Sequence, residues 1–214
     1  MATTTADRLP GSASGSIRPV LIAIVLVWFA LVLAGFFAGF FSNAPGQPPL
    51  HFAASVGLPI AIFLLAYRTI PRFRAAVLAA DLPWLTAVQA WRVLGGVFVV
   101  MLAFGHLPGL FAWPAGLGDI AIGIAAPFVA LAALRRPASI GERGFTTFHW
   151  LGILDLVVAV STGVAASGIV PGLTGSVTSA PMNLMPLVLV PGFLVPLFVI
   201  LHLTALLKVR HLKR

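Results

Sequence analysis

The feature that most limits the fold of this chain is its charge distribution: long apolar runs, with basic residues confined to the gaps between alternate runs. Arg8 and Arg18 precede the first run, and Arg68, Arg72 and Arg74 follow the second. Arg135, Arg136 and Arg143 follow the fourth, while Lys208, Arg210, Lys213 and Arg214 end the chain. Of the 13 basic residues only Arg92 lies inside a run, and the remaining gaps contain no Lys, Arg, Asp or Glu. Hydrocarbon offers backbone groups no hydrogen-bond partner, so each run must cross as a helix. Lys and Arg in short loops are retained on the cytoplasmic side. The pattern therefore predicts an all-α, polytopic bundle of six transmembrane helices with both termini in the cytoplasm.

Composition agrees with a bilayer as the main solvent: 60% of residues are hydrophobic and 8% charged, and the mean hydropathy is +1.08. Six spans of about 20 residues each occupy most of the 214 residues, leaving no room for an extramembrane domain. The net charge of +8 would suggest nucleic acid in a soluble chain. Here the cations lie along one membrane face, so the expected partner is the lipid bilayer with its anionic headgroups, and nucleic acid is excluded. With no cysteine, disulfides, thiolate metal sites, covalent haem attachment and a catalytic thiol are excluded. Abundant Ala, Gly, Pro and Arg beside two Lys suggest a GC-rich bacterial gene, hence the inner membrane.

Residues 1–18 lack an apolar period and are expected to form a flexible cytoplasmic tail. The six-helix domain is expected over 19–207, with a basic cytoplasmic tail over 208–214. The predicted spans are 20–41, 52–67, 84–104, 115–134, 147–167 and 184–207, the first too long for a signal-peptide core. Turn-forming residues mark the uncharged connections at 43–49, 106–114 and 168–182. Trp84, Trp113 and Trp150 fall where spans meet headgroups and are read as interface anchors. Pro186, Pro191 and Pro196 are expected to kink the last span and free carbonyls there.

Polar groups within hydrocarbon are costly, and Arg92, Asp119 and Asp155 are the ionisable ones that stand out. Each costs roughly 2.5 to 3.5 kcal/mol near the bilayer centre and should face the bundle interior with a partner. Counted from the basic side, Arg92 and Asp155 both lie roughly 12 Å deep, so an ion pair between them is geometrically allowed. Gln89 shares the face of Arg92, and His202, roughly 8 Å from the same boundary, is a candidate hydrogen-bonding partner of that layer. Gly152, Asp155, Ala159, Thr162 and Ala166 form a stripe of small or polar residues suited to a buried helix contact. Asp119 falls roughly 6 Å from the uncharged side and is expected to cap its span or meet His106 or Asn183.

Gly116-Leu117-Gly118-Asp119 resembles the Gly-x-Gly-Asp motif of intramembrane aspartyl proteases, which implies a second catalytic aspartate on an earlier helix. The earlier candidate, Asp81, lies in a loop, and Asp155 differs from Asp119 in predicted depth by about 10 Å or more, too far to share a proton. His51 and His106 toward one side, with His149 and His202 toward the other, make two transverse pairs that could ligate two b-type haems. Cytochrome b561-like proteins are similar in having six spans with one ligand on each of four helices. Phosphate-binding loops, His-Glu-x-x-His zinc sites and Gly-x-Ser-x-Gly elbows are absent, and no predicted span contains the lysine a retinal Schiff base needs.

The run Gln89, Arg92, Gly95, Leu107-Pro108, Phe111-Ala112, Pro114-Ala115-Gly116, Gly118-Asp119, Gly123, Gly152 and Asp155 resembles a family of small uncharacterised bacterial multi-spanning membrane proteins. Pro196 and His202 extend the match. The resemblance implies the architecture and draws attention to Arg92, Asp119 and Asp155. The leading expectation is an inner-membrane protein with no cofactor. Its polar cluster of Gln89, Arg92, Asp119, Asp155 and His202 would bind or pass a small solute, ion or proton, alone, as a homo-oligomer or as the membrane subunit of a larger transporter. A b-type haem protein and a structural or assembly factor are the alternatives.

Overall fold

A computed structural model describes residues 17–42 and 49–214; nearly all of the expected tail over 1–18 and most of the first uncharged connection lie outside the described residues. All regular structure among them is helical: α1 (Ile17–Phe37), α2 (Leu50–Thr69), α3 (Pro71–Ala79), α4 (Leu82–Ala103), α5 (Gly109–Arg135), α6 (Arg143–Ile169) and α7 (Val190–Leu212). All but α3 are long and apolar enough to cross a membrane, so this is a multi-pass membrane protein.

The basic connection after α2 contains a helix that periodicity did not indicate. Pro71 forces the preceding Ile70 into extended backbone (φ −109°, ψ 102°), which ends α2 and lets Pro71 start α3. Arg74 then donates to the terminal carbonyls of α2, Nη2 to Arg68 O at 2.7 Å and Nε to Tyr67 O at 3.0 Å. Asp81 caps α4 by accepting from the Trp84 N–H at 2.8 Å. The last helix continues through most of the expected basic tail to Leu212, and Lys208 Nζ donates to Ala80 O at 2.7 Å, tying α7 to the end of α3.

Two helix starts depart furthest from the sequence expectation, by six residues each. The fourth span starts at Gly109 rather than near residue 115, because Pro114 lies within the helix instead of in the preceding turn. Its missing N–H removes one bond near an end already rich in unpaired donors. Asp119 is thereby moved to roughly 15 Å from the helix start, near mid-span. The last span starts later than 184, since residues 184–188 form a bend and turns. Pro191 and Pro196 then fall in a π-helical entry (Val190–Leu194) and in the first turn that follows. The break near these prolines was expected; the loss of the first helical turns was not.

Helix α5 is the hub, packed between α4 and α6, while α7 closes the bundle against α2, α4 and α6. Helix α1 is peripheral: Trp28 and Phe29 rest on Phe193 at ring separations of 4.8 and 5.1 Å, and most other side chains are exposed. Small residues let α4 and α5 approach closely. A Cβ on Gly116 would stand 2.6 Å from Val99 Cγ2, and one on Gly123 would overlap the backbone N of Val93. Against this face α4 tightens into a 3₁₀ helix over Gln89–Gly96, long for that conformation, in which residues three apart eclipse on one side. Trp84, Trp113 and Trp150 are all exposed, as interface anchors would be.

Candidate intramembrane polar site

Two rows of three-residue spacing bring the site together. Thr86, Gln89 and Arg92 follow one another along α4; His149, Gly152 and Asp155 do so along α6. The guanidinium of Arg92, with a side-chain exposure of 0%, lies between α5, α6 and α7. Its Nε donates to Asp119 Oδ1 at 2.7 Å, and Nη2 donates to Asp155 Oδ2. Nη1 donates to Gly152 O at 3.1 Å and contacts His202 Nε2 at 3.3 Å. The ion pair with Asp155 is the one that matched depth allowed. Asp119, expected near the surface with His106 or Asn183, is instead the second carboxylate on the same guanidinium, because α5 begins earlier than its prolines suggested. His106 sits exposed in the turn before α5.

A chain of contacts continues from Arg92 toward the basic end. His202 Nδ1 meets His149 Nδ1 at 2.8 Å, His149 Nε2 meets Thr86 Oγ1 at 3.3 Å, and Thr86 donates to Leu82 O at 2.8 Å. The supply of donors fixes its direction. Arginine has no acceptor, so His202 Nε2 accepts and His202 Nδ1 carries the hydrogen. His149 Nδ1 then accepts, leaving its hydrogen on Nε2 to donate to Thr86, whose hydroxyl donates onward. Every link is satisfied with both imidazoles neutral. Because guanidinium does not release its proton in proteins, this line cannot carry protons to the carboxylates; it holds Arg92 in place.

His149, at a predicted span boundary where histidine is commonly solvated, is fully buried, as are Thr86 and His202. The row of threes along each helix was the legible sign. Gln89 is also fully buried, with neither amide atom bonded among the described residues. Glycines make the space. A Cβ on Gly95 would overlap the Asp119 carboxylate, one on Gly118 that of Asp155, and one on Gly152 the His202 ring.

His149 and His202 are not spaced as opposite ligands of one metal would be. Imidazole nitrogens on opposite sides of one metal stand about 4 Å apart, whereas His149 and His202 touch directly through Nδ1. His51 lies against Phe40, Phe41 and Phe52.

Two cavities converge on the cluster. One, of about 270 Å³, runs from Pro49 and the Thr178–Asn183 segment, at the end opposite the basic clusters, down to Asp119. The other, of about 450 Å³, lies between α4 and the 186–198 segment, where Trp91 and Leu94 are exposed on the outer surface of the bundle. Both are lined by Phe98, Asp119, Leu156, Val190 and Val195. The Arg92 side chain has no exposure, whereas those of Asp119 and Asp155 keep 14% and 13%; of the two carboxylates Asp119 is the one that lines the cavities, and Arg92 borders the second cavity.

A family model described as a domain of unknown function, DUF8737, matches residues 49–210. That range takes in every member of the cluster and leaves out α1. No curated protein and no solved structure matches the chain.

Proposed function

The chain belongs to the DUF8737 family, and we propose that it is a membrane protein that binds a proton or small cation at the Arg92, Asp119 and Asp155 cluster and passes it across the bilayer. The carrying observation is a charge imbalance. One guanidinium faces two carboxylates, and the histidine line adds no charge. An uncompensated charge in hydrocarbon is costly, so the cluster favours one added positive charge, a proton on a carboxyl or a cation beside it. Asp119 and Asp155 are the binding groups, Arg92 bridges them, and His202, His149 and Thr86 position Arg92. The positive-inside bias supports a cytoplasmic basic end, so that the smaller cavity opens to the other side.

Infrared difference spectroscopy on the full chain in nanodiscs tests this reading. Acidification should raise a protonated-carboxyl C=O band that is lost in Asp119→Asn or Asp155→Asn, and monovalent cations should diminish it. Absence of any carboxyl band from either aspartate, with no cation response, would refute the proposal and leave a packing role. The same preparation reconstituted in vesicles should pass protons or monovalent cations, and the aspartate variants should not.

A further inference from the structure

The second cavity narrows the class of ligand, given the proposed cation-binding role of the cluster. A site serving a proton or a small metal ion alone would gain nothing from apolar walls. This one instead joins the Asp119 carboxylate to a large apolar volume whose walls include Phe98, Leu156, Leu194 and Phe198. That cavity also lies beside Trp91 and Leu94, which are exposed on the outer surface of α4 where acyl chains would lie.

The electrostatics select the sign of the ligand. Both Nη1 hydrogens and the Nε hydrogen of Arg92 are spent on Gly152, His202 and Asp119, and Nη2 is engaged by Asp155. Arg92 borders the second cavity, but its side chain has no exposure, so an arriving anion would meet the Asp119 carboxylate first. A cation meets Asp119, the residue shared by both cavities, with apolar walls to accept the rest of the molecule.

We propose that the joined cavities bind a lipophilic monovalent cation, an apolar molecule carrying one positive charge, that enters from the bilayer beside Trp91 and Leu94 and seats its charge at Asp119. In the ligand-free cluster a proton on a carboxyl balances the second carboxylate. As the cation arrives, the carboxyl O–H proton leaves to water, one charge for one, and binding is coupled to proton release.

Tetraphenylphosphonium and tetraphenylborate are matched in shape and opposite in charge, which makes them the probes. Equilibrium dialysis against the full chain in phosphatidylcholine nanodiscs, with empty nanodiscs subtracted, should give saturable binding of the phosphonium and none of the borate. Asp119→Asn should weaken phosphonium binding by about tenfold or more, a loss of about 1.4 kcal/mol. A pH indicator in weak buffer should report proton release on phosphonium addition to the wild type. Val190→Trp fills the wall shared by the two cavities with every charge intact, and should weaken binding too; it serves if Asp119→Asn does not fold. Equal retention of the two probes, or phosphonium binding indifferent to both variants, overturns the inference. If that happens while the carboxyl infrared band persists, the proton or small-cation reading survives alone; if the band is also missing, both fall.

Discussion

Replacing Arg92 with methionine is the sharpest test of what holds the bundle centre. The side chain is fully sealed and makes four polar contacts, to Asp119, Asp155, Gly152 O and His202. At about 1.5 to 3 kcal/mol per charged hydrogen bond the gross loss would be large. Membrane interiors give less, roughly 0.6 kcal/mol for an average interhelical bond, because the helices unfolded in lipid find other partners. The largest cost therefore comes from the carboxylate left without a cation, and breaking a buried ion pair from one side costs about 3 to 5 kcal/mol. Arg92→Met should lower the folded-to-unfolded ratio by about a hundredfold or more, measured by reversible unfolding in mixed micelles. Replacing all three side chains together (Arg92→Met, Asp119→Leu, Asp155→Leu) removes the orphaned anion as well, so it should recover more than half of that loss. Arg92→Lys should be intermediate, since one ammonium cannot reproduce the fork that reaches both carboxylates. A cost below about 1 kcal/mol for Arg92→Met, or a triple variant as unstable as the single one, would refute the view that charge balance organises this core.

Other perturbations follow from the same geometry. Gly152→Ala sets a methyl group against the His202 ring and should cost about 1 to 3 kcal/mol by overpacking, read in the same unfolding assay, whereas Gly57→Ala, with open space around it, should cost little. Thr86→Val takes away the acceptor of the buried His149 Nε2–H and should cost about 1 to 3 kcal/mol, while Thr86→Ser should be nearly neutral. Lys208→Met loses the bond to Ala80 O at the surface end of α7 and should change stability by under about 1 kcal/mol. Reporter fusions at the C-terminus should place the basic end in the cytoplasm, and removing the charges of Lys208, Arg210, Lys213 and Arg214 should loosen that orientation.

Much of the architecture was legible because it depends on local quantities. Six apolar runs and the basic gaps between them follow from composition within a window of one helix, and a bilayer forces those runs to be helical. The meeting of Arg92 with Asp155 was readable as well, since both positions count from boundaries marked by charge. Asp119 was not, because its depth depends on where α5 begins, and Pro114 looked like a turn residue although it is held within the helix. His149 failed for a related reason: a histidine near a predicted boundary looks solvated until helix packing covers it.

From its sequence alone this chain was bound to be a six-helix membrane bundle with charged groups that needed partners inside it, since the cost of a bare charge in oil depends only on the residue and its depth. Which partners they found was decided by helix packing. Gly95, Gly118 and Gly152 allowed the close approaches that put two carboxylates and a histidine around one guanidinium. The cavities that make Asp119 accessible are spaces between helices, and such spaces are properties of the assembled bundle rather than of any segment of the chain.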